Sequence, residues 1–176
     1  MSLFYKPKFF VPQELISPAI YELCGDDAMY LIHPDMLKVA DELRKAFGPM
    51  IANTYWNKKL AAKWGYHRFR GLRAKNQKLG AKRSPHKLGI NKKDLNPELG
   101  VVPYSGIDLW PTLFTAKEIR TVISQEQLKW AGLGITRMET QTLKTVNGKK
   151  KWVDIGWLHF DNVPHNKPEP IKFFKG

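Results

Sequence analysis

Cysteine is almost absent from this chain, since Cys24 is the only one among 176 residues. A disulfide within the chain is therefore excluded, and the fold has to be held by packing, with or without a metal ion. The chain also lacks a run of the roughly 18 to 20 apolar residues needed to cross a bilayer. Its first residues lack the apolar core of a signal peptide. We expect a protein with no membrane span that is made in the cytoplasm without a signal peptide.

Acidic residues are missing from one stretch of the chain. Residues 57–93 include 13 Lys and Arg residues and no Asp or Glu, and this stretch carries the whole formal net charge of +13. Trp64, Tyr66 and Phe69 lie among these basic residues. Basic residues for phosphate contact and aromatic residues for base stacking are typical of nucleic-acid binding. No recognised nucleic-acid motif accompanies them, so nucleic acid is a second candidate partner.

The composition indicates one packed core. Hydrophobic residues make up 43% of the chain and aromatic residues 12%, which is ample for a single domain of this length. We expect that domain to cover residues 33–162. An N-terminal arm, residues 1–32, contains three prolines and is predicted to be irregular. A Pro-rich tail, residues 163–176, is also predicted to be irregular.

Helix and strand signals together predict an α+β fold. Apolar residues at helical spacing predict a helix over residues 34–47, and a capping box of Thr115 and Glu118 begins a second helix that ends at Gly132. Strands are predicted at residues 50–56 and 106–110. Asn147-Gly148 predicts a hairpin between residues 135–146 and 149–161. The result is a small, mainly antiparallel sheet packed on helices, with long loops.

Three segments carry residue types suited to a metal site. They are Ser84-x-His86-x-x-Gly89, Gly106-Ile107-Asp108-Leu109 and Trp157-Leu158-His159-Phe160-Asp161. In order and flanks they resemble the zinc D-alanyl-D-alanine carboxypeptidase family, which includes bacterial wall-trimming enzymes and phage endolysins. The resemblance covers roughly residues 32–162 and includes the segment Gly71-Leu72-Arg73.

The resemblance implies a set of zinc ligands and a substrate-facing arginine. His86, Asp108 and His159 would bind one Zn²⁺, and Arg73 would face the substrate. The family places its aspartate seven residues after the first histidine, where this chain has Lys93. Reaching Asp108 requires an insertion of about fifteen residues between Gly89 and Gly106, and Asp94 is the alternative ligand. We favour Asp108, because it follows the family's Gly-x-Asp-Leu context and a strand fixes a ligand better than a loop does.

Two imidazoles and one carboxylate suit a catalytic metal. They leave a tetrahedral Zn²⁺ with an open position for water, whereas a structural site closes that position with a fourth side chain. Zinc acidifies such a water and polarises a scissile carbonyl. Other divalent ions also accept this ligand set.

Peptide hydrolysis also needs a general base, and Asp154 and Glu139 are the two candidates. A regular two-residue hairpin would turn both carboxylates away from the face that carries His159. One extra residue reverses that alternation, and glycine within a strand often marks such a bulge. We predict a β-bulge at Gly156 that brings both carboxylates to the face of His159. The alternative is that both pair with nearby basic side chains.

Together with these features, the resemblance implies a zinc-dependent peptidase that cuts peptidoglycan stem peptides. The two candidate activities are a D,D-carboxypeptidase and an L-alanyl-D-glutamate endopeptidase. The basic stretch would attract anionic wall polymers, and His67 is a further candidate for anion contact. As in the phage enzymes, the protein would reach the cell wall through lysis or as part of a particle. The alternatives are a basic nucleic-acid-binding module and an inactive virion or structural protein with a peptidase-like fold.

Overall fold

The computed structural model describes residues 4–68, 70–73, 86 and 104–176. The helices in these ranges are α1 (Pro12–Leu15), α2 (Pro18–Cys24), a 3₁₀ helix (Gly25–Leu31), α3 (Pro34–Phe47), α4 (Lys58–Trp64), α5 (Ala116–Gln125) and α6 (Gln127–Gly132). The strands are β1 (Met50–Ile51), β2 (Gly106–Pro111), β3 (Arg137–Val146), β4 (Lys149–Asp161) and β5 (Lys172–Lys175). The predicted α+β class is confirmed. No helix in the described ranges is long and apolar enough to cross a membrane.

The five strands form one sheet in the order β1-β2-β4-β3-β5, antiparallel except for the parallel pair β3 and β5. Side chains alternate along each strand, so the sheet has two distinct faces. One face is apolar and packs against α3 and α5. Its fully buried residues include Ile107, Leu109, Met138, Leu158 and Phe160. The other face carries polar residues, which are described below.

Helix α3 matches the prediction because its local signals are strong. Met36, Val39 and Leu43 share its buried face, and Gly48 ends it with a φ of 81°. The second predicted helix is divided instead. Glu126 leaves the helical conformation, with φ −113° and ψ 35°, and separates α5 from α6.

The N-terminal arm is more regular than predicted. Two of its prolines, Pro12 and Pro18, lie in the first turns of helices α1 and α2. Proline suits that position because a first-turn N–H has no partner within the helix. Leu15, Ile16 and Ile20 enter the core. The arm therefore packs on the domain as helical turns.

The predicted strand at residues 50–56 is confirmed only at Met50–Ile51. Beyond it, the N–H of Asn53 donates to the carbonyl of Glu14, and the N–H groups of Thr54 and Tyr55 donate to the carbonyl of His67. These donors pair with the arm and with a loop, so the sheet ladder stops.

The tail was predicted to be irregular, but its last part is a strand. Pro164, Pro168 and Pro170 all precede β5. β5 itself contains no proline, so its residues keep the backbone N–H groups that strand pairing needs. It pairs in parallel with the edge of β3.

Candidate metal centre

Three side chains that are far apart in sequence meet on the polar face of the sheet. Nδ1 of His159 lies 2.8 Å from Oδ1 of Asp108 and 2.9 Å from Nε2 of His86. Oδ1 of Asp108 and Nε2 of His86 are 3.3 Å apart. The exposed fraction is only 3% for His86 and 6% for His159. The three donor atoms therefore form a compact and largely buried triangle, which we call the triad.

The register of the sheet positions two members of the triad. Asp108 on β2 is the direct partner of His159 on β4. Residues directly opposite each other on antiparallel strands point to the same side. The pairing therefore holds the carboxylate and the imidazole together without help from a loop.

Besides its contacts with the two triad residues on the sheet, His86 is held by residues 70–73. The N–H of Arg73 donates to the carbonyl of His86 at 2.6 Å, and Nδ1 of the His86 ring lies 3.2 Å from the carbonyl oxygen of Gly71. A carbonyl only accepts, so Nδ1 carries the proton and Nε2 offers its lone pair to the triad. The N–H of Asp108 donates to the carbonyl of Arg70, which joins the same segment to β2.

The N-terminal arm holds residues 70–73 in place. The N–H of Leu72 donates to the carbonyl of Leu15 at 2.8 Å. Asn53 is fully buried, and its side chain donates to the carbonyl of Ile16 and accepts from the N–H of Arg70. The segment that presents His86 thus depends on a part of the chain outside the family resemblance.

Gly71 is the tightest point of this contact, since an added Cβ would lie 1.8 Å from the carbonyl oxygen of Leu15. We expect Gly71→Ala to displace the segment, to lower the free energy of unfolding by about 2–3 kcal/mol and to weaken metal binding. Denaturant melts and zinc titrations measure both effects. Gly132→Ala is the control, because a Cβ there meets nothing within 4 Å. Equal losses in the two variants would contradict the prediction.

Asp161 contacts His159 on the side away from the triad. Its Oδ2 lies 3.4 Å from Nε2 of His159, and its two carboxylate oxygens accept hydrogen bonds from Arg137 at 2.8 Å. Arg137 is the direct partner of Asp161 across β3 and β4. A carboxylate in this position favours a proton on Nε2, so Nδ1 is the nitrogen that would bind a metal. Asp161 is therefore placed to orient a metal ligand.

We expect Asp161→Asn to weaken zinc binding about 10- to 100-fold, because the amide no longer fixes the tautomer of His159. Competition with a chromogenic chelator measures the affinity. Asp27→Asn, at an exposed carboxylate, is the control and should leave the affinity unchanged. Unaltered affinity in Asp161→Asn would mean that Asp161 only pairs with Arg137.

Burial and charge act differently on the two imidazoles. Burial lowers the pKa of His86, although Asp108 acts in the opposite direction. Burial would also lower the pKa of His159, but hydrogen bonds to Asp108 and Asp161 outweigh it and raise that pKa to about 10. Burial favours the neutral form of Asp108, yet the two imidazoles outweigh it and lower the pKa of Asp108. The carboxylate is thus ionised and attracts a cation.

The triad fits a divalent metal ion. In the described part of the chain, His86, Asp108 and His159 form one group whose donor atoms all lie within 4.8 Å of one another. Tetrahedral ligands bound at about 2.0–2.1 Å lie about 3.3 Å apart, close to the separations found here. Three donors leave one position for a further ligand. The arrangement therefore suits a catalytic metal better than a structural one.

No protein-family model, curated protein or solved structure matches this chain. The likeness to the zinc carboxypeptidase family is therefore a resemblance of short motifs. The functional interpretation depends on the triad and on its surroundings.

A cavity of about 600 Å³ lies beside the triad, and Asp108 lines it. Trp110 and Trp157 form part of its wall, with their rings stacked 6.0 Å apart. Arg73 also lines the cavity and is only 6% exposed, and its Nε has no hydrogen-bond partner among the described residues. A buried guanidinium with an unused donor is suited to a carboxylate or to an oxygen that gains charge.

The bulge predicted at Gly156 lies in a longer irregular stretch. Gln141 on β3 pairs with Asp154, whereas Glu139 pairs with His159. Two steps along β3 therefore correspond to five along β4, so β4 contains three extra residues and not one. An odd number still reverses the alternation. β3 is irregular at the same point, because its two steps from Glu139 to Gln141 correspond to one step along β5. Glu139 lies directly opposite His159, whereas Asp154 lies beside α5. The predicted move of both carboxylates to the face of His159 is therefore found only for Glu139.

Arg120 on α5 stabilises this irregular stretch. Its guanidinium donates to the carbonyls of Ile155 and Trp157, each at 3.0 Å. Arg120 is 6% exposed, so the two hydrogen bonds are shielded from water. These hydrogen bonds take the place of the β3–β4 hydrogen bonds that the two carbonyls do not make. They also fix Trp157 in the cavity wall.

Of the two candidate bases, only Glu139 is next to the triad. Burial raises the pKa of Glu139, and the charge of Asp108 acts in the same direction, which suits a group that takes up a proton. Asp154 accepts from the side chain of Gln141 and lies 3.8 Å from Nζ of Lys117. It lines a separate cavity of about 250 Å³ beside α5.

Sequence reasoning assigned no role at the site to Asp161, Arg137 or Arg120. The spacing of Asp161 from His159 was an available signal, because residues two apart on a strand share a face. No local signal pointed to Arg120, whose partners lie 35 and 37 residues away. Asp94, the alternative ligand, lies outside the described residues, as does the insertion before residue 104.

Proposed function

We propose that this chain is a zinc-dependent peptidase that cuts the stem peptides of bacterial peptidoglycan. The observation that carries the proposal is the buried triad of His86, Asp108 and His159 beside a cavity lined by Arg73. The family resemblance of the motifs supports zinc as the metal and the wall peptide as the substrate.

A zinc ion held by the triad would supply Lewis acidity, which acidifies water and polarises a carbonyl. The side chains around it perform the other tasks. Trp110 and Trp157 hold the apolar part of a peptide and keep bulk water out. Arg73, which lines the cavity, donates from its guanidinium to a peptide carboxylate, or to the oxygen that gains charge as the amide is attacked. The carboxylate of Glu139 accepts a proton from the attacking water and passes it to the leaving amine.

The two candidate activities place different demands on Arg73. A D,D-carboxypeptidase needs a partner for the free carboxylate at the end of its substrate, whereas an L-alanyl-D-glutamate endopeptidase cuts within the chain. The protein would act at the cell wall after release by lysis, or as part of a particle. Its basic residues would attract anionic wall polymers and raise the rate of encounter.

Metal analysis combined with a digest of purified sacculi tests the proposal. We expect about one zinc ion per chain and release of peptide fragments, whose masses identify the bond that is cut. Bound zinc without fragments would instead favour the inactive virion or structural protein. Metal-free protein that binds DNA with a steep dependence on salt would favour the nucleic-acid-binding module.

A further inference from the structure

A second cavity, of about 340 Å³, adjoins the cavity beside the triad. The two share His67, Arg70 and Trp110 in their walls. The second cavity also contacts Lys63 and Trp64, and no triad residue lines it. The two cavities are therefore neighbours with a common wall, and we call the second one the distal cavity.

The distal cavity is cationic. Its described lining contains Lys63 and Arg70 and no carboxylate, and neither side chain forms an ion pair with a described acidic residue. The guanidinium of Arg70 lies 4.8 Å from the ring centroid of Trp110, and Nζ of Lys63 lies 5.1 Å from that of Trp64. Both cations thus lie against aromatic walls. Arg70 also donates to the carbonyl of Ala52 and is near the charge of Asp108, but no carboxylate lines the distal cavity itself.

His67 adds no positive charge to this cavity at neutral pH. Its Nε2 lies 2.9 Å from the carbonyl oxygen of Trp64, so the ring donates from that atom. Burial lowers the pKa of His67, and Arg70 acts in the same direction. The expected contact of His67 with an anion is therefore not favoured, and the charge of the cavity comes from Lys63 and Arg70.

We propose that the distal cavity binds a carboxylate-bearing residue of the peptide substrate, with Lys63 and Arg70 on the carboxylate and the two indole rings on its aliphatic part. The inference rests on the proposed function in one respect: it takes the occupant to be part of the peptide whose amide reaches the triad. If the assignment is correct, the protein prefers peptides that have a negatively charged side chain at a distance from the bond that is cut.

Two small probes test this assignment on the zinc-loaded protein. N-acetylglutamic acid α-amide and N-acetylglutamine α-amide differ only in a side-chain carboxylate or carboxamide. Shifts of the indole N–H resonances of Trp64 and Trp110 report binding, and buried Trp130 is the internal reference. We expect the acid to bind at least about fivefold tighter than the amide, since charge-assisted hydrogen bonds are the stronger ones.

The same titration on variants locates the effect. Lys63→Gln should reduce the preference for the acid to within about twofold, since the stronger charge-assisted contact is lost. Lys59→Gln is the matched control, because Lys59 is exposed on the same helix and lines neither cavity. Equal binding of acid and amide to the wild type, or an equal effect of both variants, would overturn the assignment. Neither probe is cleaved, so the binding preference can be measured even if the protein releases no peptide from sacculi. Equally, peptide release can be observed even if the probes show no preference.

Discussion

Zinc content is expected to fall from about one ion per chain to near zero when His86 or His159 is replaced by alanine. A catalytic zinc has three protein ligands, and the two that would be left cannot hold it at micromolar concentrations. Peptide release from sacculi should fall by at least about a thousandfold, because the Lewis acidity of the ion is lost with it. Elemental analysis of dialysed protein and a muropeptide digest measure the two effects.

His165→Ala is the matched control, since it removes a histidine whose contact is the N–H of Lys167 on the tail. A thermal melt with and without zinc separates metal loss from misfolding. Bound zinc stabilises the folded state by mass action, so the wild type and the control should gain melting temperature. The triad variants should gain none. A triad variant that keeps stoichiometric zinc would rule out the triad as the metal site.

The fold could be predicted where neighbouring residues decide the structure. Helix α3 has its apolar spacing and its end signal at Gly48 within one segment. In the hairpin, Asn147 and Gly148 adopt φ values of 51° and 73°, as the Asn-Gly turn predicts. The stretch after Ile51 could not be predicted in this way. It has strand composition, but its donors pair with Glu14 and His67, and such partners cannot be read from local sequence.

In the candidate site, too, local sequence predicted some features, and others depend on contacts between distant residues. The residue types of His86, Asp108 and His159 could be selected from motifs, and the structure brings their donor atoms together. The pairing of Asp108 with His159 joins residues 51 apart, so only the assembled sheet reveals it. The size of the irregular stretch in β4 was also hidden. It depends on Arg120, which supplies hydrogen bonds from another helix.

Glu139→Gln is expected to lower kcat for peptide cleavage about 10²- to 10⁴-fold, the usual contribution of a general base. The amide keeps the shape of the side chain but does not accept the proton. Glu139 is not one of the triad ligands, so zinc content should stay near the wild-type value. Initial rates on a synthetic stem peptide, measured beside the zinc content, separate loss of the base from loss of the metal.

Two further variants make this result specific. Glu42→Gln removes a partly exposed carboxylate that pairs with Lys45 on α3, and it should leave kcat unchanged. Asp154→Asn tests the other candidate base directly. Because Asp154 lies beside Lys117 and α5, we expect its effect to be far smaller than that of Glu139→Gln. The opposite order would assign the base to Asp154 and would require the irregular stretch of β4 to rearrange when peptide binds.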